Sequence, residues 1–251
     1  MRRDLHTHTT YSDGAASPEE MILAAIDMGL DVIGISDHSY TFFDESYCIK
    51  KDRIEAYKRE INALKEKYKD DISVLCGVEQ DAYSTESTEG YDYVIGSAHY
   101  LKIKGEYYPL DMSQLRFYHA CRDGFGADYY ALAEAYFELV SGFAERDDVS
   151  IIGHFDLVAK YNRLGHLFDE ENPRYLAAAK KAIDKLIAAG KTFEVNVGAI
   201  ARKYRTVPYP APTLFSYIRE KGGKLLLASD AHTPRNIAFA FDYYYESLIG
   251  R

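Results

Sequence analysis

The chain has 251 residues and a formal net charge of −9 at pH 7. An acidic chain without basic runs is a poor scaffold for long nucleic acids or anionic membranes. Its three cysteines have no C-x-x-C spacing, which favours a reducing compartment and argues against a thiolate zinc site. The chain enters its first predicted strand without a signal peptide, and no apolar run approaches the ~20 residues of a membrane span. We therefore expect a cytoplasmic protein.

The first predicted strand carries Asp4-Leu-His-Thr-His8 and leads into a turn that contains Asp13-Gly14. Alternate side chains of a strand share a face, so His6 and His8 point the same way and form a potential chelate for a transition metal. Asp13 adds a carboxylate nearby. An H-x-H pair alone more often represents two surface histidines, so its meaning depends on the rest of the chain.

Helices and buried strands alternate along that remainder. The first helix begins at the capping box Ser17-Pro-Glu-Glu20 and ends at Gly29. Later helices are predicted over residues 52–67, 128–146, 173–189 and 212–221, and a last one from Pro234. Strands are predicted over residues 31–36, 72–78, 93–98, 149–153, 192–195 and 224–228. Residues 100–110 should form a hairpin that turns at Lys104-Gly105, and residues 111–127 should be irregular.

This alternation implies parallel strands joined by right-handed crossovers. Seven such units fit a barrel better than an open sheet. The predicted fold class is therefore α/β, a distorted TIM-like (βα)7 barrel that forms a single domain over residues 1–251. The active sites of such barrels lie at the C-terminal ends of the strands.

Ligand-type side chains follow almost every predicted strand. Six of the eight histidines lie at these ends: His6, His8, His38, His99, His154 and His232. Acidic and amide residues accompany them: Asp37, Glu79, Asn196 and Asp230. A buried histidine that binds the backbone explains any one position, but not the collection of six at equivalent places. The pattern therefore predicts a metal site at the C-terminal ends of the strands.

The motifs resemble those of the polymerase and histidinol phosphatase (PHP) metallophosphoesterases. Matching stretches span nearly the whole chain: Asp4-Leu-His-Thr-His8, Ser36-Asp-His38, Gly77-Val-Glu79, Gly96-Ser-Ala-His99, Gly153-His-Phe-Asp-Leu-Val158, Glu194-Val-Asn196 and Ser229-Asp-Ala-His232. The residues from Ile152 to Val158, and Ala201-Arg-Lys203, point to the histidinol-phosphatase branch.

The resemblance implies two or three divalent transition-metal ions, with Zn, Fe and Mn all compatible with the ligand set. One ion would bind His6, His8, Glu79 and Asp230. A second would share Glu79 and bind His99 and His154. A third would bind Asp13, His38 and His232, although many members of the family have a histidine in place of Asp13.

The implied chemistry suits a phosphate monoester. Three divalent ions, less the carboxylates of Asp13, Glu79 and Asp230, leave a net charge of about +3, which favours a phosphate dianion. The expected reaction is hydrolysis of L-histidinol phosphate, in histidine biosynthesis, by a metal-bound hydroxide, with Glu79 and Asp230 as catalytic residues. Asp37 could orient a ligand, protonate the leaving alkoxide, or simply cap the loop after the second strand.

Basic residues after the fifth and sixth strands could bind the phosphate. Arg suits this role because its guanidinium donates two parallel hydrogen bonds. Arg202 is favoured and Arg163 follows, with Lys203 and Lys160 as further candidates. The ordinary alternative for each is a solvated surface position.

Two other functions stay open. A PHP-type phosphodiesterase or nuclease would act on nucleotides or short nucleic acids, although the acidic charge argues against long ones. A non-catalytic, metal-stabilised domain is the other, and the complete ligand set argues against it. The expected partner is a small phosphate monoester, not a long nucleic acid or a membrane. The sequence does not predict the oligomeric state.

Overall fold

The computed structural model describes residues 2–249 of the chain. Its strands are Arg3–Asp4 (β1), Val32–Ile35 (β2), Ser73–Asp81 (β3), Tyr93–Ser97 (β4), Tyr100–Ile103 (β5), Glu106–Pro109 (β6), Ile151–Ile152 (β7), Thr192–Asn196 (β8) and Lys224–Ala228 (β9). β5 and β6 form the predicted antiparallel hairpin. The other strands form one seven-stranded sheet in the order β1-β2-β3-β4-β7-β8-β9, and all their pairings are parallel.

The two edges of this sheet meet. Thr7, just after β1, pairs with Ala231, just after β9, in an isolated parallel bridge. The buried carboxylate of Asp4 joins the same edges, because it accepts hydrogen bonds from the backbone N–H groups of Ser229 (3.1 Å) and Ala238 (3.0 Å). The sheet is therefore a nearly closed barrel, and the predicted TIM-like α/β fold is confirmed.

Helices surround the barrel. They are Pro18–Asp27 (α1), Ile54–Lys67 (α2), Gln114–Phe125 (α3), Tyr129–Ser141 (α4), Pro173–Ala188 (α5), Gly198–Ala201 (α6), Pro212–Glu220 (α7) and Phe241–Ile249 (α8). α1 begins with the predicted capping box, in which Ser17 and Glu20 bind each other's backbone N–H. Within residues 2–249, no helix combines the length and the apolar character that a membrane crossing requires.

A small apolar cluster fills the barrel interior. Its buried members come from the strands and their ends rather than from helices: Leu5, Val32, Ile95, Ile151, Leu226 and Ala228. Tyr93 also points inward, and its hydroxyl donates to the carbonyl of Leu5 (2.5 Å). A Cβ at Gly34 or Gly77 would lie 2.1 or 2.2 Å from Tyr93 atoms, so both positions require glycine. This plug closes the barrel beneath the C-terminal ends of the strands.

One region expected to be irregular is helical. α3 occupies most of residues 111–127, so that prediction was wrong. Ser113 caps the helix by accepting a hydrogen bond from the Arg116 N–H, and Gly126 ends it with φ of 61°. Phe117, Ala120 and Cys121 form its buried face. Helical stabilisation thus comes from this three-residue contact with the core, which is too short a pattern to stand out in the sequence.

Three element boundaries also differ from the prediction. β3 continues through Asp81 instead of ending at residue 78, because its ladder with β4 extends to the Asp81–Ser97 pair. α4 ends at Ser141, and a 3₁₀ turn over Gly142–Glu145 replaces its expected last turn. Pro234 opens a 3₁₀ turn over Pro234–Asn236, and the last helix begins only at Phe241.

Candidate metal centre

Glu79 lies at the centre of the site. It belongs to β3 and is fully buried, and its two carboxylate oxygens face different imidazoles. Oε1 lies 2.9 Å from Nε2 of His154 and 3.3 Å from Nε2 of His99. Oε2 faces three further rings, those of His38 (2.7 Å to Nδ1), His6 (3.4 Å to Nε2) and His8 (3.6 Å to Nε2). One carboxylate thus lies between two groups of nitrogen donors, as a carboxylate that bridges two ions would.

A second group of ligand-type atoms lies on the solvent side of His8. Asp13 is 3.6 Å from Nε2 of His38 and 3.3 Å from Nε2 of His232. The four residues His8, Asp13, His38 and His232 each offer an atom within 4.8 Å of the others. Asp230 connects the two groups, since its Oδ1 lies 3.3 Å from Nε2 of His8. The structure therefore brings together all nine residues that the sequence suggested as metal ligands.

The charges of these groups are strongly coupled. Burial raises the pKa of Glu79, but the imidazoles of His38, His6 and His99 outweigh this and hold it well below its usual range. Burial lowers the pKa of His8 to about 3, and the adjacent His232 and His38 add to this shift. Glu79 is therefore an anion and His8 a neutral imidazole near neutral pH, which are the protonation states that bind metal ions.

The pKa of His6 is shifted in the opposite direction to that of His8. Burial lowers its pKa, but the carboxylates of Glu194, Glu79 and Asp230 raise it well above the ordinary value. A proton on His6 neutralises part of this anionic surrounding in the absence of a cation. A bound metal ion would take over that role, so metal binding and proton release should be coupled.

Unpaired buried atoms test whether the site fits metal ions. Five such atoms make no hydrogen bond with the described residues: Nε2 of His6, Nδ1 and Nε2 of His8, Oε2 of Glu79 and Nδ1 of His154. Nδ1 of His38 lies 2.7 Å from this Oε2, but the pair does not have the geometry of a hydrogen bond. Buried polar atoms normally have partners. His6, His8 and Glu79 each offer a ligand-type atom within 4.8 Å of the others, as the ligands of one ion would. Their imidazole and carboxylate chemistry is that of divalent transition-metal ligands. The residues therefore fit the implied metal ions.

Two further carboxylates hold the rings in place. Glu194, on β8, lies 2.7 Å from Nδ1 of His6, and Asp81, on β3, lies 3.2 Å from Nδ1 of His99. Each contact leaves Nε2 of the ring directed at Glu79. Neither residue was predicted to have a role. The two-residue spacing of a strand could have identified both. Asp81 lies on the same face of its strand as Glu79, and Glu194 on the same face as Asn196.

Asp37 lies beneath the loop that follows β1. Its carboxylate accepts hydrogen bonds from the backbone N–H (2.8 Å) and the hydroxyl (2.8 Å) of Thr9, and from the backbone N–H of Ser12 (3.1 Å). It is fully buried and does not line the cavity that lies above the candidate ligands. Asp37 therefore holds the loop after β1, not the loop after β2 that the capping alternative named, and the loop it holds carries Asp13 into the site.

The predicted phosphate-binding residues fall in different places. Arg202 lines the cavity, and its guanidinium lies 2.8 Å from Oδ2 of Asp230 and 2.9 Å from Nδ1 of His232. Arg163 is exposed and lines a separate surface cavity. Lys203 is exposed, with φ of 65°. Neither Arg163 nor Lys203 is among the described residues around the metal centre.

The cavity above the ligands has a volume of about 250 Å³. Segments that follow several barrel strands form its walls, which include Tyr47, Tyr100, Asp111, Met112, Lys160 and Tyr204. The Tyr47 ring packs edge-on against His38, with 4.9 Å between centroids. Lys160 donates from Nζ to the backbone carbonyl of Asp111 (2.9 Å). Burial raises the pKa of Asp111, but Lys160 and then the nearby histidines outweigh this and lower it, so the carboxylate is ionised.

Solved structures share this architecture. HisK of Listeria monocytogenes superposes with a TM-score of 0.83 at 21% identity, over 97% of this chain and 100% of that one. Histidinol phosphate phosphatase of Lactococcus lactis, whose crystals contained Zn, L-histidinol and phosphate, has a TM-score of 0.70 at 20% identity, over 98% of this chain and 94% of that one. Identities this low support the likeness of fold alone.

Sequence comparison extends the likeness to family. A Deinococcus radiodurans protein named "Probable histidinol-phosphatase" is 32% identical, over 95% of this chain and 89% of that protein. The sequence model of the PHP domain matches residues 4–198. These residues contain seven of the nine ligand-type residues of the centre, and the structure adds Asp230 and His232 to them. The chain therefore belongs to the PHP domain family.

Proposed function

We propose that this protein is a metal-dependent histidinol-phosphatase, which hydrolyses L-histidinol phosphate to L-histidinol and phosphate. The observation that carries the proposal is the position of Glu79, a buried carboxylate between two groups of imidazoles at the mouth of a barrel. The name of the Deinococcus relative, at 32% identity over most of both chains, supports the choice of substrate. The reaction places the enzyme in histidine biosynthesis.

The centre would hold two or three divalent ions, with Zn, Fe and Mn as the candidate metals. His6, His8, Glu79 and Asp230 would hold one ion, Glu79, His99 and His154 the second, and Asp13, His38 and His232 the third. Such ions, when bound, withdraw charge from phosphoryl oxygens and lower the pKa of coordinated water. Elemental analysis of the reconstituted protein should find two to three ions per chain, and fewer than one would contradict the assignment.

The residues of the chain itself would bind and orient the ester. Arg202 lies beside Asp230 at the cavity wall, so its guanidinium can donate to the non-bridging oxygens of a phosphate held at the centre. Lys160 provides a second positive charge on the same wall. The plug of Leu5 and Tyr93 closes the barrel from below, so substrate and product must use the open mouth.

The size of the cavity also favours a small substrate. About 250 Å³ of space above the ligands suits a small phosphate ester. No extended basic surface is expected in a chain with a net charge of −9. Both features argue against long nucleic acids and leave nucleotides and short nucleic acids as the substrates of the alternative function.

A substrate panel tests the proposal. Metal-loaded protein would be assayed with L-histidinol phosphate, p-nitrophenyl phosphate and a nucleotide diester, with Glu79→Gln as the inactive control. We expect the highest kcat/KM with L-histidinol phosphate. A preference for the diester would favour the nuclease, and turnover of none of the three would favour a non-catalytic, metal-stabilised domain.

A further inference from the structure

Asp111 is an acidic residue in a pocket that should bind a phosphate dianion. It follows β6 by two residues and lines the cavity together with His99 and His154. Its side chain is 28% exposed, and among the described residues its ion-pair partner is Lys160 rather than an imidazole of the centre. An uncoordinated carboxylate here repels phosphate and weakens its binding. Its presence is favourable only if it also faces a positive charge.

Lys160 supplies part of that charge. Its Nζ lies 2.9 Å from the backbone carbonyl of Asp111 and 3.3 Å from Oδ2, so a primary ammonium group fits beside this residue. Tyr161 fixes the same backbone carbonyl through its hydroxyl (2.5 Å). The other carboxylate oxygen, Oδ1, receives no hydrogen bond from any residue between 2 and 249. Asp111 is thus held in place with one acceptor atom available.

We propose that Oδ1 of Asp111 accepts a hydrogen bond from the ammonium group of the substrate and so selects amino-alcohol phosphates over phosphate esters with uncharged tails. This inference rests on the proposed function. In L-histidinol phosphate, the carbon that carries the amine is bonded to the carbon that carries the ester oxygen. The ammonium must therefore lie within a few ångströms of the phosphate, and Asp111 lies on the wall of that same cavity.

A competing explanation gives Asp111 only the task of fixing Lys160. The two explanations predict different results for a substrate that lacks the amine. If Asp111 binds the ammonium, its loss affects only the substrate that carries one. If Asp111 only positions Lys160, its loss affects every phosphate ester alike, because Lys160 would act on the phosphate that all of them share.

The experiment measures kcat/KM for L-histidinol phosphate and for 3-(imidazol-4-yl)propyl phosphate, the same ester without the amine. Asp111→Asn keeps the shape of the side chain, and Glu106→Gln, exposed on the neighbouring β6, is the matched control. We expect Asp111→Asn to lower kcat/KM roughly ten- to hundred-fold for L-histidinol phosphate, the usual range for a hydrogen bond between charged groups. The ester without the amine should be hydrolysed as well as by wild type, or better. Metal content should not change.

An equal loss for both esters, or no change for either, would overturn the inference. The wild-type protein tests the proposed function separately. If it hydrolyses other monoesters but not L-histidinol phosphate, the proposed function fails. The comparison of 2-aminoethyl phosphate with ethyl phosphate, in wild type and Asp111→Asn, then decides the role of Asp111 independently.

Discussion

Oε1 of Glu194 lies 2.7 Å from Nδ1 of His6, and this contact determines which nitrogen of the ring faces Glu79. The other oxygen of Glu194 accepts a hydrogen bond from the backbone N–H of His154 (3.2 Å). One buried carboxylate thus positions a ligand on each side of Glu79. A carboxylate in this position also makes the imidazole a better electron donor to a metal ion.

Glu194→Gln should therefore weaken metal binding. We expect a loss of roughly ten- to hundred-fold in affinity, because an uncharged amide no longer polarises the His6 ring. Competition with a chelator of known affinity measures the change directly, and circular dichroism checks the fold. The matched control is Glu138→Gln, an exposed glutamate that pairs only with Lys181 (3.1 Å) among the described contacts. Unchanged affinity in the Glu194 variant would show that His6 needs no such partner.

Glu79→Gln should remove both turnover and at least one metal ion per chain. The change deletes the charge that faces imidazoles on both of its sides, and an amide cannot bridge two ions in the same way. Asp230→Asn should act similarly, because Asp230 would hold the same ion as Glu79 and lies 3.3 Å from Nε2 of His8. We expect kcat to fall by roughly a hundred-fold or more in each variant, which is about 2.7 kcal/mol of activation free energy. Near-normal kcat together with normal elemental metal content would contradict the assignment.

Arg202→Ala should lower kcat/KM for a phosphate monoester by roughly ten- to hundred-fold, since a charge-assisted hydrogen bond is worth about 1.5–3 kcal/mol. Arg202→Lys should restore only part of the loss, because lysine lacks the planar fork. Because Arg202 also contacts Asp230, metal content is measured in parallel and should stay constant. Lys203→Ala, at an exposed position, should be silent. A silent Arg202→Ala would direct the search for the phosphate clamp to Lys160.

Stability should fall at alkaline pH partly through Cys76. Burial, followed by the charge of Asp92, raises the pKa of this thiol to about 12. In the unfolded chain the thiol ionises near pH 8.5, so the unfolded state releases its proton first. The contribution of Cys76 is therefore complete below about pH 8.5 and is lost as the pH rises towards 12.

Urea unfolding of wild type and Cys76→Ala at pH 7.5 and 10 measures this effect. Between these two values the free energy of unfolding should fall by about 2 kcal/mol more in wild type than in the variant. The comparison is between the changes in the free energy of unfolding with pH. The loss of stability caused by the cavity that alanine leaves is the same at both pH values, so it cancels. Identical slopes would mean that the thiol ionises as readily in the folded protein as in the unfolded one.

The positions of the candidate metal ligands could be predicted from sequence because most of these residues lie in or directly after regular strands. His6 and His8 share a face by alternation, and parallel strands bring their C-terminal ends to one edge of the barrel. The position of Arg202 at the cavity could be predicted for the same reason, since this residue follows β8 closely. Its neighbour Lys203 was expected to act alike but is exposed, because the chain there turns through a φ of 65°.

The walls of the cavity were less predictable. Asp111 and Tyr204 lie in loops with no periodic pattern, and only the folded chain shows that they line one cavity. Arg163 was expected beside the phosphate, but the 3₁₀ turn over Arg163–Gly165 places it elsewhere. Loop residues are positioned by long-range contacts, such as that of Lys160 with Asp111, that sequence spacing does not encode.

The junction between β1 and β9 gives the metal ions a mechanical role as well. Beyond the single Thr7–Ala231 bridge, ligands stand on both sides of this line, with His8 following the first strand and Asp230 the last. An ion held by both would act as a cross-link between distant parts of the chain, and such links restrict the open chain most when the enclosed loop is long. After removal of the ions, β1 and β9 should separate before the rest of the barrel unfolds. The amide protons of His8 and Ala231 should then be among the first to exchange with deuterated solvent.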